Sequence, residues 1–208
     1  MKKNKKTKIL RILSSILIFL SILFLGLIFY PIAVQEVTYK VNETLGVKYT
    51  VNETKKAKEK KLVPSNTDFS IIIPKIAAVA PVISEVDYTN SDIFLKVLKK
   101  GVAHAKGTAY PDQVGNVYIF AHSTDAFYNV GNFNAVFYLL GKLNKGDEVV
   151  LYYKGNKYTY SVSEVKVVSK DDSYYLGKIS EGKTLTLQTC YPPGTTLKRL
   201  VVIANFKE

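Results

Sequence analysis

The chain has 208 residues and a formal net charge of +12. Residues 1–11 carry six basic groups and no acidic one, residues 33–62 carry seven Lys and four Glu, and residues 63–208 carry sixteen basic and thirteen acidic groups. The length suits one domain with appended segments, and because a nucleic-acid-binding domain holds its cationic footprint on the folded part itself, this tail-weighted charge excludes nucleic acid as the expected partner.

Lys2, Lys3, Lys5, Lys6 and Lys8 open the chain, and from Ile12 to Tyr30 nineteen residues follow without a charge. As a helix rising ~1.5 Å per residue, that run nearly spans the ~30 Å hydrocarbon layer of a bilayer. A cleaved signal peptide has a shorter apolar core, roughly 7–15 residues, and ends in small residues. Here the run leaves through Phe29, Tyr30 and Pro31. The expectation is a basic cytoplasmic tail over 1–8 and an uncleaved transmembrane anchor over 9–32. The preceding lysines hold the N-terminus in the cytoplasm by the positive-inside rule, so the chain crosses the cell membrane once and the remainder lies outside it.

Residues 33–66 read as a stalk. KVNETLGVKYTVNETKKAKEKK is polar and repeats VNET at 41–44 and 51–54, too few copies for a repeat architecture. Val41, Val47, Tyr49 and Val51 give some strand character, but the Lys-rich end favours a solvated linker.

The pattern changes at Asp68, and residues 67–208 read as the folded domain. DFSIIIPKIAAVAPVI gives short β-rich runs broken by Pro74 and Pro81. NSDIFLKVLKKG reads as a short helix capped by Ser91, with Ile93, Phe94, Val97 and Leu98 on one face and Gly101 at its stop. NVYIFAH, residues 116–122, is a strand. NAVFYLLGKL reads as helical, with Asn134 as cap and Val136, Phe137 and Leu140 inward. EVVLYYKGNKYTYSVSEVKVV gives two or three strands with a hairpin at Gly155-Asn156, and KTLTLQTC and RLVVIANF are the last two strands. Many short strands with one or two short helices indicate a mostly β domain, a barrel or a sandwich.

The single cysteine cannot form an internal disulfide, so an exported domain must bury it, pair it with another chain, or use it. Strand side chains alternate between faces. In TLTLQTC, Leu185, Leu187 and Thr189 share one face, and Thr186, Gln188 and Cys190 the other. With the leucines toward the core, Cys190 stands on the opposite face at the strand's end, where Pro192 and Pro193 stop the ladder. Arg199 opens the next strand after the loop YPPGTTLK, where a guanidinium favours a thiolate and can donate to a developing oxyanion; Lys198 faces the other way. A thiol nucleophile also needs a proton partner. His104 and His122 are the two histidines, and His122 ends its strand before the polar HSTD. The same residues also fit an inert cysteine and ordinary surface polar groups in a non-catalytic, membrane-tethered β domain for surface adhesion or scaffolding.

LTLQTC followed by KRLVV resembles the signature of sortases, the membrane-anchored cysteine transpeptidases of bacterial surfaces. IIIPKIAAVAPVI, GVAHAKGTAYPDQVGNVYIFAH, and FYLLGKLNKGDEVV with KYTYSV are similar, in order, to further stretches of that family. The resemblance covers about residues 69–206. It implies a closed eight-stranded β-barrel with short helices behind one N-terminal transmembrane helix, with Cys190 as nucleophile, His122 as general acid/base and Arg199 as the third essential residue. It implies cleavage of an LPXTG-like sorting signal on surface-protein substrates, and transfer of the acyl fragment through a thioester to an amine of a cell-wall precursor or a pilin lysine. It calls for no metal or organic cofactor. His104 matches a histidine in the stretch GVxHxxGT of the class D and E types, in a structural or a substrate-contacting role. Two departures are visible: Ala121 precedes His122 where many members have Gly, and Asp112 follows Pro111 where many have Gly. Asp147-Glu148 and Asp171-Asp172 are expected in solvated turns. An L,D-transpeptidase would need a His-Gly-Cys type run at the nucleophile, and a papain-like protease would set its cysteine at a helix start; neither pattern is present.

Overall fold

The computed structural model describes residues 2–51, 59–123, 136–177 and 181–207. Helix α1 runs over Lys2–Leu45. Within it, Thr7–Leu27 is 21 residues long with a mean hydropathy of 2.4, long and apolar enough to cross a membrane. The helix continues through residues 33–45, where the sequence suggested a linker. It ends where Gly46 takes φ 67, a left-handed geometry that costs glycine little. Gly46 N–H then donates to Glu43 O at 3.1 Å and Val47 N–H to Asn42 O at 2.9 Å, which satisfies carbonyls of the last turn.

Strand β1 (Lys48–Thr50) pairs in parallel with β2 (Glu59–Lys61). Of the residues read with strand character, Tyr49 lies in this short pair, whereas Val41 is in α1 and Val47 and Val51 flank β1. The Lys-rich residues 52–58 between β1 and β2 lie outside the described residues.

The eight remaining strands are β3 (Phe69–Ile73), β4 (Ala78–Val86), β5 (Val102–Ala105), β6 (Gly115–Phe120), β7 (Glu148–Tyr153), β8 (Asn156–Ser169), β9 (Lys183–Tyr191) and β10 (Lys198–Phe206). They close into a barrel in the order β10-β8-β7-β3-β4-β5-β6-β9. The eight-stranded closed barrel is therefore the one expected. All neighbours are antiparallel except β4–β5 and β6–β9. Parallel neighbours need a crossover, and helix α2 (Ser91–Leu98) lies in the one between β4 and β5.

Alternation along the strands fills the interior. Ile119, Leu185, Leu187 and Val202 are completely buried, and each such side chain contributes roughly 1.5–3 kcal/mol relative to exposure. The opposite parity of β6, β9 and β10 faces outward.

Local details differ from the sequence reading by small steps. The cap of α2 is Asn90, not Ser91: its side chain accepts from the backbone N–H of Asp92 and Ile93. An Asx side chain with extended backbone can reach two orphan amides at once. On α2, Leu98 is buried and Phe94 meets Phe120 edge to face at 6.0 Å, whereas Ile93 stays exposed. Gly101 is not the helix cap. A Cβ there would stand 2.4 Å from the Pro81 carbonyl oxygen, so glycine is needed for close approach of two backbones. The β7–β8 hairpin turns through Lys154-Gly155, both at positive φ, one residue before the expected position; this is the geometry a two-residue hairpin favours. The segment read as a helix from Asn134 becomes a 3-10 helix over Tyr138–Lys142, with Phe137 and Leu140 fully buried as expected and Val136 half-buried. Asn134 itself lies outside the described residues.

Candidate active site

Strands β6 and β9 run in the same direction, and β10 runs against both. The C-terminal ends of β6 and β9 and the start of β10 therefore meet at one end of the barrel. Cys190, next to last on β9, is half-buried. It sits directly opposite Arg199 on β10, so both side chains leave the same, outer face of the sheet. On the other flank, β6 is in register with β9 up to Phe120 opposite Gln188. The pairing extends through Ala121, whose N–H donates to Gln188 O at 3.1 Å. The Thr189 hydroxyl donates to Ala121 O at 2.9 Å and fastens that end. Strand β6 ends at Phe120, and His122 follows it two residues past the strand's end. The Arg199 guanidinium donates through Nη1 to Thr196 O at 3.2 Å and Lys198 O at 3.1 Å, which draws it over the loop joining β9 to β10. Cys190 and Arg199 thus face each other across β9 and β10, and His122 follows the end of β6, the strand on the other flank of β9.

Below Cys190 and Arg199 the outer face is polar, and the sequence reading did not reach it. Asn116 is buried, with its Nδ2 donating to Tyr175 O at 2.7 Å and its Oδ1 accepting from Thr184 at 3.2 Å and Thr186 at 2.9 Å. These bonds hold the segment after β8, including the 3-10 turn Tyr174–Leu176, against the flank of the barrel. One step higher, the Tyr118 hydroxyl donates to Gln188 Oε1. Burial pushes the Tyr118 hydroxyl far above its ordinary range, against a smaller opposing pull from Arg199. It therefore stays protonated and a donor. The available signal was the alternation itself: Asn116, Tyr118 and Phe120 share parity, as do Thr184, Thr186 and Gln188.

His104, on β5, is fully buried and pairs across to Ile119, three residues before His122. Its Nε2 lies 3.0 Å from both Ala109 O and Thr108 Oγ1, and its ring stacks on Tyr110 at 4.7 Å. Burial lowers its pKa, partly offset by its bond to Ala109 and by Glu85. It organises the β5–β6 turn rather than joining the Cys190 row. Among the acidic residues, Asp147 accepts from Asn144 N–H at 2.7 Å, Glu148 meets Lys207 at 2.8 Å, and Asp172 accepts from Tyr174 N–H at 3.0 Å. Among the described residues, no group of three or more His, Cys, Asp or Glu side chains could hold a metal ion.

The family profile described as the sortase domain matches residues 71–207. Sortase D of Bacillus subtilis (strain 168) is 30% identical over 166 residues, covering 78% of this chain and 75% of the relative. Among solved structures, a sortase D5 transpeptidase of Clostridium perfringens superposes with a TM-score of 0.56 at 26% identity, over 71% of this chain and 83% of that one. Sortase C of Clostridium perfringens, solved with the C-terminal cell wall sorting motif, superposes with a TM-score of 0.55 at 28% identity, over 67% and 69%.

Proposed function

The chain belongs to the sortase family, and on that premise we propose that it is a membrane-anchored cysteine transpeptidase in which Cys190 is the nucleophile, His122 the general acid/base and Arg199 the oxyanion partner. The observation that carries this reading is the register that sets Arg199 directly across from Cys190; that His122 follows shortly after β6, the strand on the other flank of β9, supports it.

The Cys190 thiolate attacks the carbonyl carbon of the Thr residue in an LPXTG-like sorting signal. Electron density moves onto the carbonyl oxygen, where the Arg199 guanidinium donates to it. Collapse of the tetrahedral adduct breaks the C–N bond, and the leaving amine takes a proton from the His122 imidazolium. The acyl fragment remains as a thioester on Sγ. An incoming primary amine, from a cell-wall precursor or a pilin lysine, attacks that thioester and gives its proton to His122. The Cys190 thiolate leaves, and a new amide bond replaces the old one. No oxidant, metal or nucleotide enters this balance.

The relative solved with a sorting motif supports a peptide substrate of this class. The apolar stretch Thr7–Leu27 supports anchoring in the bilayer. With the N-terminus in the cytoplasm and the barrel outside, the enzyme shares a layer with substrates leaving the membrane, and its effective concentration toward them rises.

The test is mass spectrometry of the detergent-solubilised chain mixed with a library of LPXTG-type peptides. A peptide acyl adduct on Cys190, released by hydroxylamine and absent from Cys190→Ala, is expected. Absence of any adduct across the library would count against the proposal and favour a non-catalytic tethered domain.

A further inference from the structure

We infer that Gln188, held by Tyr118, is a substrate-positioning residue whose carboxamide N–H binds a backbone carbonyl of the acyl segment; this rests on the transpeptidase reading above.

The placement comes from the pleat. Gln188 and Cys190 are two apart on β9 and leave the same face. Two residues of extended chain cover about 6.6–6.8 Å. A peptide lying extended along β9 with its reacting carbonyl at Cys190 therefore sets the carbonyl two residues away over Gln188. The row is flanked by buried side chains. Phe120 pairs across from Gln188 on one side and Val201 on the other, and Phe94 of α2 packs on Phe120. Gln188 is half-buried and so keeps access to solvent, while Tyr118 is only 3% exposed.

The orientation comes from the hydroxyl. A glutamine on this face is free to present oxygen or nitrogen. The Tyr118 hydroxyl takes the oxygen, and because oxygen and nitrogen lie on opposite sides of the amide carbon, the two N–H donors are turned the other way. Burial keeps that phenol protonated, so it retains the proton it donates to the Gln188 oxygen. A fixed donor suits a carbonyl acceptor and not another N–H.

The acyl side is assigned by the order of events. Once the C–N bond breaks, the amine fragment must leave and another amine must enter, so only the acyl fragment needs holding throughout. Beyond Cys190 the chain leaves the sheet at Pro192, in the loop that turns back by the Thr195 N–H to Pro192 O bond of 3.0 Å. That end is the one open to exchange, and Gln188 lies on the other side of the nucleophile.

The experiment uses the full chain in detergent, fluorescent LPXTG-type peptides and hydroxylamine as acceptor. Because a bond made equally in the ground and transition states moves KM and not kcat, Gln188→Leu is expected to raise KM about five- to tenfold, the worth of one hydrogen bond, with kcat within about twofold. Gln188→Glu separates a donor from a brace: its carboxylate still accepts from Tyr118 but offers no N–H, so KM rises as in the Leu variant. Tyr118→Phe raises KM by a smaller factor, and by none in the Gln188→Leu background. Alkylation of Cys190 by iodoacetamide proceeds at the wild-type rate in all three. An unchanged KM in Gln188→Leu, a silent Gln188→Glu, or an alkylation rate that falls in step with KM would overturn the inference while leaving the transpeptidase reading standing. A wild-type chain that consumes no peptide overturns both.

Discussion

Replacing Asn116 by Ala removes a single buried side chain that ties three parts of the barrel wall together. Its Nδ2 bond to Tyr175 O and its two acceptor bonds from Thr184 and Thr186 are lost at once. Thr184 keeps a 3.4 Å contact to Gly115 O, but Thr186 is fully buried and its hydroxyl goes unpaired. At about 1 kcal/mol for each neutral bond, and more where a buried group is stranded, the loss comes to about 2–4 kcal/mol. For a domain of this size each kcal/mol shifts the melting temperature by about 2–4 °C, so a drop of about 4–16 °C is expected. Thr186→Val removes one donor and leaves Asn116 its other two bonds, so it should cost about 1 kcal/mol and 2–4 °C. Near-UV circular dichroism of the detergent-solubilised chain is the assay, because thirteen of the fifteen tyrosines it reads lie outside α1, which holds Tyr30 and Tyr39. Limited proteolysis should also cut faster within residues 170–177, whose tether to the sheet is gone. If Asn116→Ala costs no more than Thr186→Val, the three bonds do not act as a joint tether and the reasoning fails.

Two further outcomes follow from the same physics. His104 is held neutral by burial, so its folded pKa lies below the unfolded value of about 6.5, and the unfolded chain binds more protons between the two. Its contribution is complete above pH 6.5 and declines as pH falls through the folded pKa, with a slope of at most about 1.4 kcal/mol per pH unit. Denaturant melts from pH 7.5 to 5 should show this decline, and His104→Gln should flatten it; an identical slope in the variant would assign the effect to other groups. The Tyr160 hydroxyl is buried without a hydrogen-bond partner among the described residues, while its ring packs edge to face on Phe206 at 5.6 Å. Tyr160→Phe keeps the ring and relieves the dehydrated hydroxyl, so the urea midpoint should rise by the equivalent of about 1 kcal/mol; a fall would reveal a partner for that oxygen.

Much of the local structure was readable from side-chain periodicity. The alternation in TLTLQTC assigned Leu185 and Leu187 to the interior and Cys190 to the outer face, and the leucines are fully buried while Cys190 is half-buried. The cap of α2 and the β7–β8 turn each differ by one residue, because neighbouring Asn/Ser and Lys/Gly/Asn residues are nearly interchangeable in local propensity and the surrounding backbone selects among them. Residues 33–45, read as a polar stalk, are helical. Their polarity argued for a solvated segment, but a helix already nucleated by the apolar run extends through them at little cost until Gly46 stops it.

By itself, then, the sequence determined which segment can enter a membrane, which parity of each strand is apolar, and that a thiol ends one strand while a guanidinium begins the next. Those are properties of periods 2 and 3.6 and of unbroken apolar length, which short-range chemistry sets. Only the tertiary structure decided that β6 lies beside β9, in parallel and some 70 residues away. That pairing sets the end of β6 beside Gln188, two residues before Cys190, and brings the Tyr118 hydroxyl to Gln188. Nothing within either strand specifies it. It is chosen by closing the barrel over one shared core, which repays the loop-closure entropy of bringing distant strands together.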